Sequence, residues 1–297
     1  MKSENRHLAS PCPITMADAP QSDVVSVEEK PIDSENLSKG VIAKVIINRP
    51  EKLNALNSDV VKQLKEICNW AEENDDVRVL VFSGAMPNPP AEGKRAKPNS
   101  FVAGADITEF VGKDSTEIRE VFSDNAIERI WNLSKPTIAM IDGFALGGGC
   151  ELACSCDLRI GSTRAVFGTP EINLGLIPGY GGTQRLPRLV GLGRAMEMIL
   201  GGEMVNAERA LSIGLLNHLC EVEELEQKTM EIATNIGSKS PHTIKFAKST
   251  VRLALELPLS EGLEGEAIEF ANLFDTEDQK IGVKAFLERS EPEWVGK

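Results

Sequence analysis

The chain has 297 residues, 41% of them hydrophobic but only 5% aromatic, enough for one large aliphatic core with at most a small appendage. Its formal charge of -13 and pI of about 4.9 oppose phosphate backbones and anionic membrane surfaces. This argues against nucleic acid and membrane as partners, and any anionic ligand would need a local basic patch. No stretch reaches about 18 consecutive apolar residues, so no membrane-spanning helix is expected.

In chain order, residues 1–38 are rich in Ser, Pro, Glu and Asp without an apolar period, and are expected to be a disordered tail. They carry no apolar leader core and are too acidic for a transit peptide, and Val295-Gly-Lys297 is not a peroxisomal address, which leaves a cytoplasmic location as the expectation. Order is expected to begin at the β-branched strand Val41–Ile47, stopped by Asn48-Arg-Pro50. A helix capped by Ser58 follows, with Val60, Val61, Leu64, Ile67, Cys68 and Ala71 as its apolar stripe. Val77–Phe82 is apolar enough to be a strand buried on both faces.

Residues 84–100 form a long loop with prolines at 87, 89, 90 and 98 and the basic trio Lys94, Arg95 and Lys97. Ser100-Phe-Val-Ala-Gly-Ala-Asp-Ile107 reads as a short strand ending in a glycine turn, residues 114–133 as helix, and Pro136–Ile141 as another buried strand. Gly147–Gly149 open a helix through Cys154, and Leu158–Ile160 is a further strand. Strands alternating with helices imply an α/β fold with parallel pairing. From Leu189 onward the pattern is almost entirely helical, with Leu259–Leu273 one helix and Ala285–Arg289 the end of another.

The chemistry concentrates in two glycine-punctuated runs, Ile141-Asp-Gly-Phe-Ala-Leu-Gly-Gly-Gly-Cys-Glu151 and Phe167-Gly-Thr-Pro-Glu171, the latter continuing to Arg185. Gly147–Gly149 at a helix start are either a tight strand–helix turn or an anion cradle made of free N–H groups. They match neither a phosphate-binding P-loop nor a dinucleotide fingerprint. An N–H at the end of Ser100–Ile107, added to one from this helix start, would make an oxyanion hole. Glu151 suits the helix dipole in any case, whereas Glu171 lies in a glycine-rich connection, where function is more common. Two glutamates close together cannot both ionise cheaply, so one pKa is expected to rise and the pair to hold a water between an acid and a base.

The cysteines Cys12, Cys68, Cys150, Cys154, Cys156 and Cys220 form no Cys-x-x-Cys pair. They are read as reduced and mostly buried rather than as a disulfide or zinc framework. His7, His218 and His242 are poorly placed for a Ser–His–Asp triad.

Together, Ser100–Ile107, Ile141–Glu151 and Phe167–Arg185 resemble the crotonase superfamily, and most closely its short-chain enoyl-CoA hydratases. Asn48–Leu56 resembles the family's first coenzyme A-contacting segment, and the similarity runs from about residue 40 to the C-terminus. The resemblance implies a crotonase-type spiral of ββα units over residues 39–235. It also implies a C-terminal helical trimerisation region over 236–297 that makes subunit contacts and covers the coenzyme A site. The assembly would be a homotrimer or a homohexamer built as a dimer of trimers.

Residue by residue, the resemblance implies an oxyanion hole at Ala105 and Gly148, catalytic carboxylates Glu151 and Glu171, and a positioning amide at Gly179. Coenzyme A contacts are implied at Lys52, Leu53, Ala55, Ala103, Asp106, Ile107, Phe270, Phe274 and Arg289. For the last three, core packing and a solvated helix end are equally good readings. No metal or redox cofactor is implied, because coenzyme A belongs to the acyl-CoA thioester substrate. The expected reaction is addition of water to a trans-2-enoyl-CoA, or the reverse dehydration of a 3-hydroxyacyl-CoA. The alternatives are a Δ3,Δ2-enoyl-CoA isomerase, another acyl-CoA enzyme of this fold, or a non-catalytic RNA-binding module.

Overall fold

The computed structural model describes residues 18–34, 39–90, 93 and 95–297. Cys12, Lys94 and most of the expected tail lie outside these residues. The tail expectation fails within the described part. Val25–Pro31 is a strand, β1, paired antiparallel with β2, Val41–Ile47, in the register Val27 opposite Val45. Val25 and Val27 point into the core while Glu28, Glu29 and Lys30 stay in solvent. An edge strand needs only two buried side chains and tolerates charge along the rest, so its composition looks like that of a tail.

Helix α1, Ser58–Glu73, is capped by Asn57 and not by Ser58, because Asn57 Oδ1 accepts the Val60 N–H and Ser58 Oγ is spent on Glu109. The expected stripe is buried at Val60, Leu64, Ile67, Cys68 and Ala71. Strand β3, Val77–Gly84, sends Leu80 and Phe82 to one face and Val79 and Val81 to the other, and all four are fully buried.

Strand β4, Ser100–Val102, is the expected short strand, and Gly104, at a φ of 111°, makes the glycine turn that ends it. The helical sequence expected over 114–133 forms two helices, α2 (Ser115–Ser123) and α3 (Ala126–Asn132). Asn125 breaks it by adopting extended backbone and capping the Glu128 N–H.

Then follow β5 (Thr137–Ile141), β6 (Phe144–Leu146), α4 (Gly148–Ser155), β7 (Leu158–Ser162) and β8 (Val166–Gly168). After them come α5 (Gly182–Val190), α6 (Leu192–Gly201), β9 (Val205–Asn206), α7 (Ala207–Ser212) and β10 (His218–Cys220). The chain ends with α8 (Leu225–Gly237), α9 (Pro241–Leu253), α10 (Leu259–Asn272) and α11 (Glu277–Glu288).

From β3 to β8, successive strands fall alternately into two sheets. One has the order β1-β2-β3-β5-β7-β10 and the other β4-β6-β8-β9. All pairs are parallel except β1 with β2 and β8 with β9. Each turn of the spiral therefore adds one strand to each sheet. Leu225 and Ala233 of α8 close one face of the larger sheet, against Ile42, Val79, Ile138 and Ile160. The other face and the smaller sheet enclose the main core with α1, α3 and α4. The ends of β4 and β6, with the start of α4, meet at the edge of that core, and the functional residues gather there.

Candidate active site

The site is assembled around the N-terminus of α4. Gly147, its N-cap, holds φ 50° and ψ -123°, and its N–H donates to Gly168 O at the end of β8. A Cβ at Gly147 would lie 2.8 Å from Glu171 Oε1 and 3.7 Å from Gly104 Cα. The glycine therefore permits both the backbone angle and the approach of the carboxylate. A Cβ at Gly148 would lie 3.4 Å from the Ala105 amide nitrogen, 3.4 Å from Tyr180 Cδ2 and 3.5 Å from Leu56 Cδ1. Among the described residues, neither the Ala105 nor the Gly148 N–H has a protein acceptor. Two uncommitted donors from different segments are thus brought side by side, one of them at a helix start, where partial positive charge is concentrated.

The segment before them is locked in place. Leu56 N–H donates to Gly104 O, Asp106 N–H to Leu56 O, and Ala103 N–H to Leu53 O. Asn54, buried at φ 59°, donates to Ala85 O and Ser100 O and accepts the Arg49 N–H. Arg49 donates to Ala55 O and pairs with Asp106 at 3.0 Å, with both side chains mostly buried. Neither Arg49 nor Asn54 stood out in the sequence, although both lie in the Asn48–Leu56 segment.

Glu151, in the first turn of α4, is 2% exposed. Its Oε1 accepts the Tyr180 and Gly182 N–H groups, each at 2.7 Å, and no described residue donates to Oε2. Burial raises its pKa to about 7. The Glu171 charge adds to that rise, while the two N–H groups and Arg185 oppose it. Glu171 is the second residue of a short 3-10 turn, Pro170–Leu174, and its Oε2 is buried without a partner among the described residues. Burial raises its pKa too. Glu151 can therefore exchange a proton near neutral pH, which ordinary surface glutamates do not, and Glu171 beside it binds a proton more tightly than a surface glutamate. Phe122 of α2 stacks on Tyr180 with ring centres 4.5 Å apart and also touches Gly179, so α2 walls this side of the site.

The model for the enoyl-CoA hydratase/isomerase family matches residues 38–297. The chain belongs to that family. Within it, the chain is 42% identical over 253 residues to the short-chain-enoyl-CoA hydratase of Clostridium acetobutylicum, covering 84% of this chain and 93% of the relative. It is 38% identical over 258 residues to the crotonyl-CoA hydratase of Syntrophomonas wolfei, covering 86% of this chain and 95% of the relative. The crystal structure of the enoyl-CoA hydratase from Bacillus anthracis superposes with a TM-score of 0.82 at 34% identity, over 92% of this chain and all of that one. The spiral is thus the crotonase fold.

Against the family pattern, the structure brings Ala105, Gly148, Glu151, Glu171 and the loop at Gly179 together, with Leu53, Ala55, Ala103 and Asp106 in the adjoining backbone. Lys52 and Ile107 are exposed beside that backbone, where Lys97 Nζ donates to Glu51 O at 2.5 Å. Phe270 and Phe274 are exposed and in contact with each other, on α10 and the turn after it. Arg289 is the left-handed C-cap of α11. Among the described residues, no hydrogen bond, ion pair or ring contact joins these three to the site. No helix among the described residues is long and apolar enough to cross a membrane.

Proposed function

We infer that this chain is an enoyl-CoA hydratase that adds water reversibly across the double bond of a trans-2-enoyl-CoA. The observation that carries the reading is the pair formed by buried Glu151 and half-buried Glu171, both with raised proton affinity, placed beside two uncommitted amides. In this reading, the thioester oxygen accepts from Ala105 and Gly148 N–H. As water adds to C3, negative charge accumulates on that oxygen, so these bonds strengthen in the transition state and lower the barrier. Glu151, aimed by its two amide bonds, takes a proton from the water, and Glu171 delivers a proton to C2. Dehydration of a 3-hydroxyacyl-CoA is the same path reversed. The chemistry asks for no cofactor beyond the coenzyme A of the substrate.

We propose further that the working form is a homotrimer or a dimer of trimers. Ile172, Leu174, Leu176 and Ile177, next to Glu171, are exposed, as are Leu192, Met196 and Leu200 on α6. So large an apolar face beside a catalytic residue suits a subunit contact. A second copy would also give Phe270, Phe274 and Arg289 a coenzyme A nucleotide to meet.

The test is product analysis. Wild-type protein incubated with crotonyl-CoA in deuterated water should yield the 3-hydroxyacyl ester with one deuterium at C2. Formation of a shifted alkene without hydroxylated product would replace hydratase by isomerase.

A further inference from the structure

Behind the catalytic glutamate lies a charged stack that the reaction just described does not use. Arg185 of α5 is 9% exposed. Its Nη1 donates to Tyr180 O at 2.9 Å, and the N–H of the same Tyr180 donates to Glu151 Oε1. A Cβ on Gly181, which holds φ 95°, would lie 2.3 Å from Arg185 Nη1, so the guanidinium presses directly on the turn.

The other end of the fork is braced. Arg185 Nη2 pairs with Glu128 of α3. The guanidinium carbon lies 4.7 Å from the centre of the Trp131 ring, which also carries Arg252 at 4.0 Å. Arg252 is in turn tied to Asp157, which Lys248 also binds. Arg188 and Glu256 are the other charges on the cavity of about 370 Å³ beside this stack. On the site side, Glu151 faces Glu171 and the phenol of Tyr180.

We propose that Arg185 is a positioning residue for the general base: held by Glu128 and Trp131, it fixes the Gly179–Gly182 turn whose two amides orient Glu151. Arg185 makes no hydrogen bond to Glu151, so it acts through the turn and through its field. A planar fork does this and an ammonium does not, because the bonds to Tyr180 O and Glu128 must be made at once.

The test uses the full chain as Arg185→Gln and Arg185→Lys. The pH dependence of kcat and KM for crotonyl-CoA is measured, and the Glu151 carboxyl is titrated by NMR of glutamate-labelled protein, assigned with Glu151→Gln. In Arg185→Gln, kcat should fall about tenfold or more at neutral pH with KM little changed. The acid limb of the rate profile and the carboxyl titration should both move to higher pH, because a cation that favours the carboxylate has gone. In Arg185→Lys, the titration should stay in place while kcat still falls severalfold.

An Arg185→Gln titration matching wild type overturns the proposal. If Arg185→Gln does not fold, Arg185→Lys decides, and a kcat within twofold of wild type overturns it. The kinetic arm rests on the hydratase reading. A wild type that does not hydrate the ester would sink that reading, while the titration would still decide the role of Arg185.

Discussion

The spiral core and the C-terminal helices are built on opposite terms. In the core, every residue of α4 is buried, and a carbon added to Gly149 would lie 1.9 Å from Val102 O. In α10 no residue is buried, and a carbon added to Gly262 would meet nothing within 4 Å. The core spends its packing on holding two amides and two acids in one geometry. The C-terminal helices leave their apolar side chains, Leu259, Leu263, Phe270 and Phe286 among them, facing outward. In the proposed mechanism the reacting groups all come from one chain, whereas α10 and α11 would contribute only in the proposed assembly.

Substitutions in the two regions should differ accordingly. The largest effect is expected in the core. Glu171→Gln and Glu151→Gln should each lower kcat on crotonyl-CoA by on the order of a thousandfold with KM changed little, since each removes a proton-transfer group and keeps its shape. Near-full activity in either would contradict the assigned roles. Next comes Gly149→Ala. Overpacking against the Val102 backbone should cost about 3 kcal/mol or more, seen as a large drop in Tm or as insoluble protein.

The third prediction concerns pH. The Glu151 carboxyl holds its proton to about pH 7 in the folded chain, against a reference value of 4.5. Below pH 4.5 both folded and unfolded forms are protonated and nothing is lost. As pH rises from there to 7, the unfolded chain releases a proton that the folded chain keeps, so folded stability falls and then levels off. The shift corresponds to about 3 kcal/mol. Glu151→Gln, whose amide oxygen can still accept the Tyr180 and Gly182 N–H groups, should gain up to that amount over wild type at pH 8 and little at pH 4.5. Equal gains at both pH values in urea titrations would break the argument.

The smallest effects belong to the C-terminal region. Phe270→Ala should leave kcat alone and raise KM by no more than a fewfold, about 1 kcal/mol, and should do so only where subunits are associated by sedimentation. Gly262→Ala should stabilise α10 by up to about 1 kcal/mol, read as a small rise in Tm. A loss of stability there would show that α10 is closely packed in the assembly.

Legibility follows the same division. The two acids and the glycine runs could be read directly, because only glycine tolerates φ 50° at Gly147 with a carboxylate against its Cα. Strand β3 was legible because a parallel strand covered on both faces must be continuously apolar. Strand β1 was not, because two valines supply all of its buried contact. The helical sequence expected over 114–133 is helical, but its break at Asn125 was not read, because it rests on a local cap. Arg49, Asn54 and Arg185 were present in the quoted motifs but silent, since each acts on backbone carbonyls that have no signature of their own.

The sequence by itself determined which groups could move a proton and which turns needed glycine, because side-chain chemistry and backbone sterics are local properties. Tertiary structure decided that the Ala105 and Gly148 amides stay uncommitted, that residues about thirty positions away grip Glu151, and that its proton is held to about pH 7. Those properties depend on desolvation and on partners distant in the chain, and only folding supplies them.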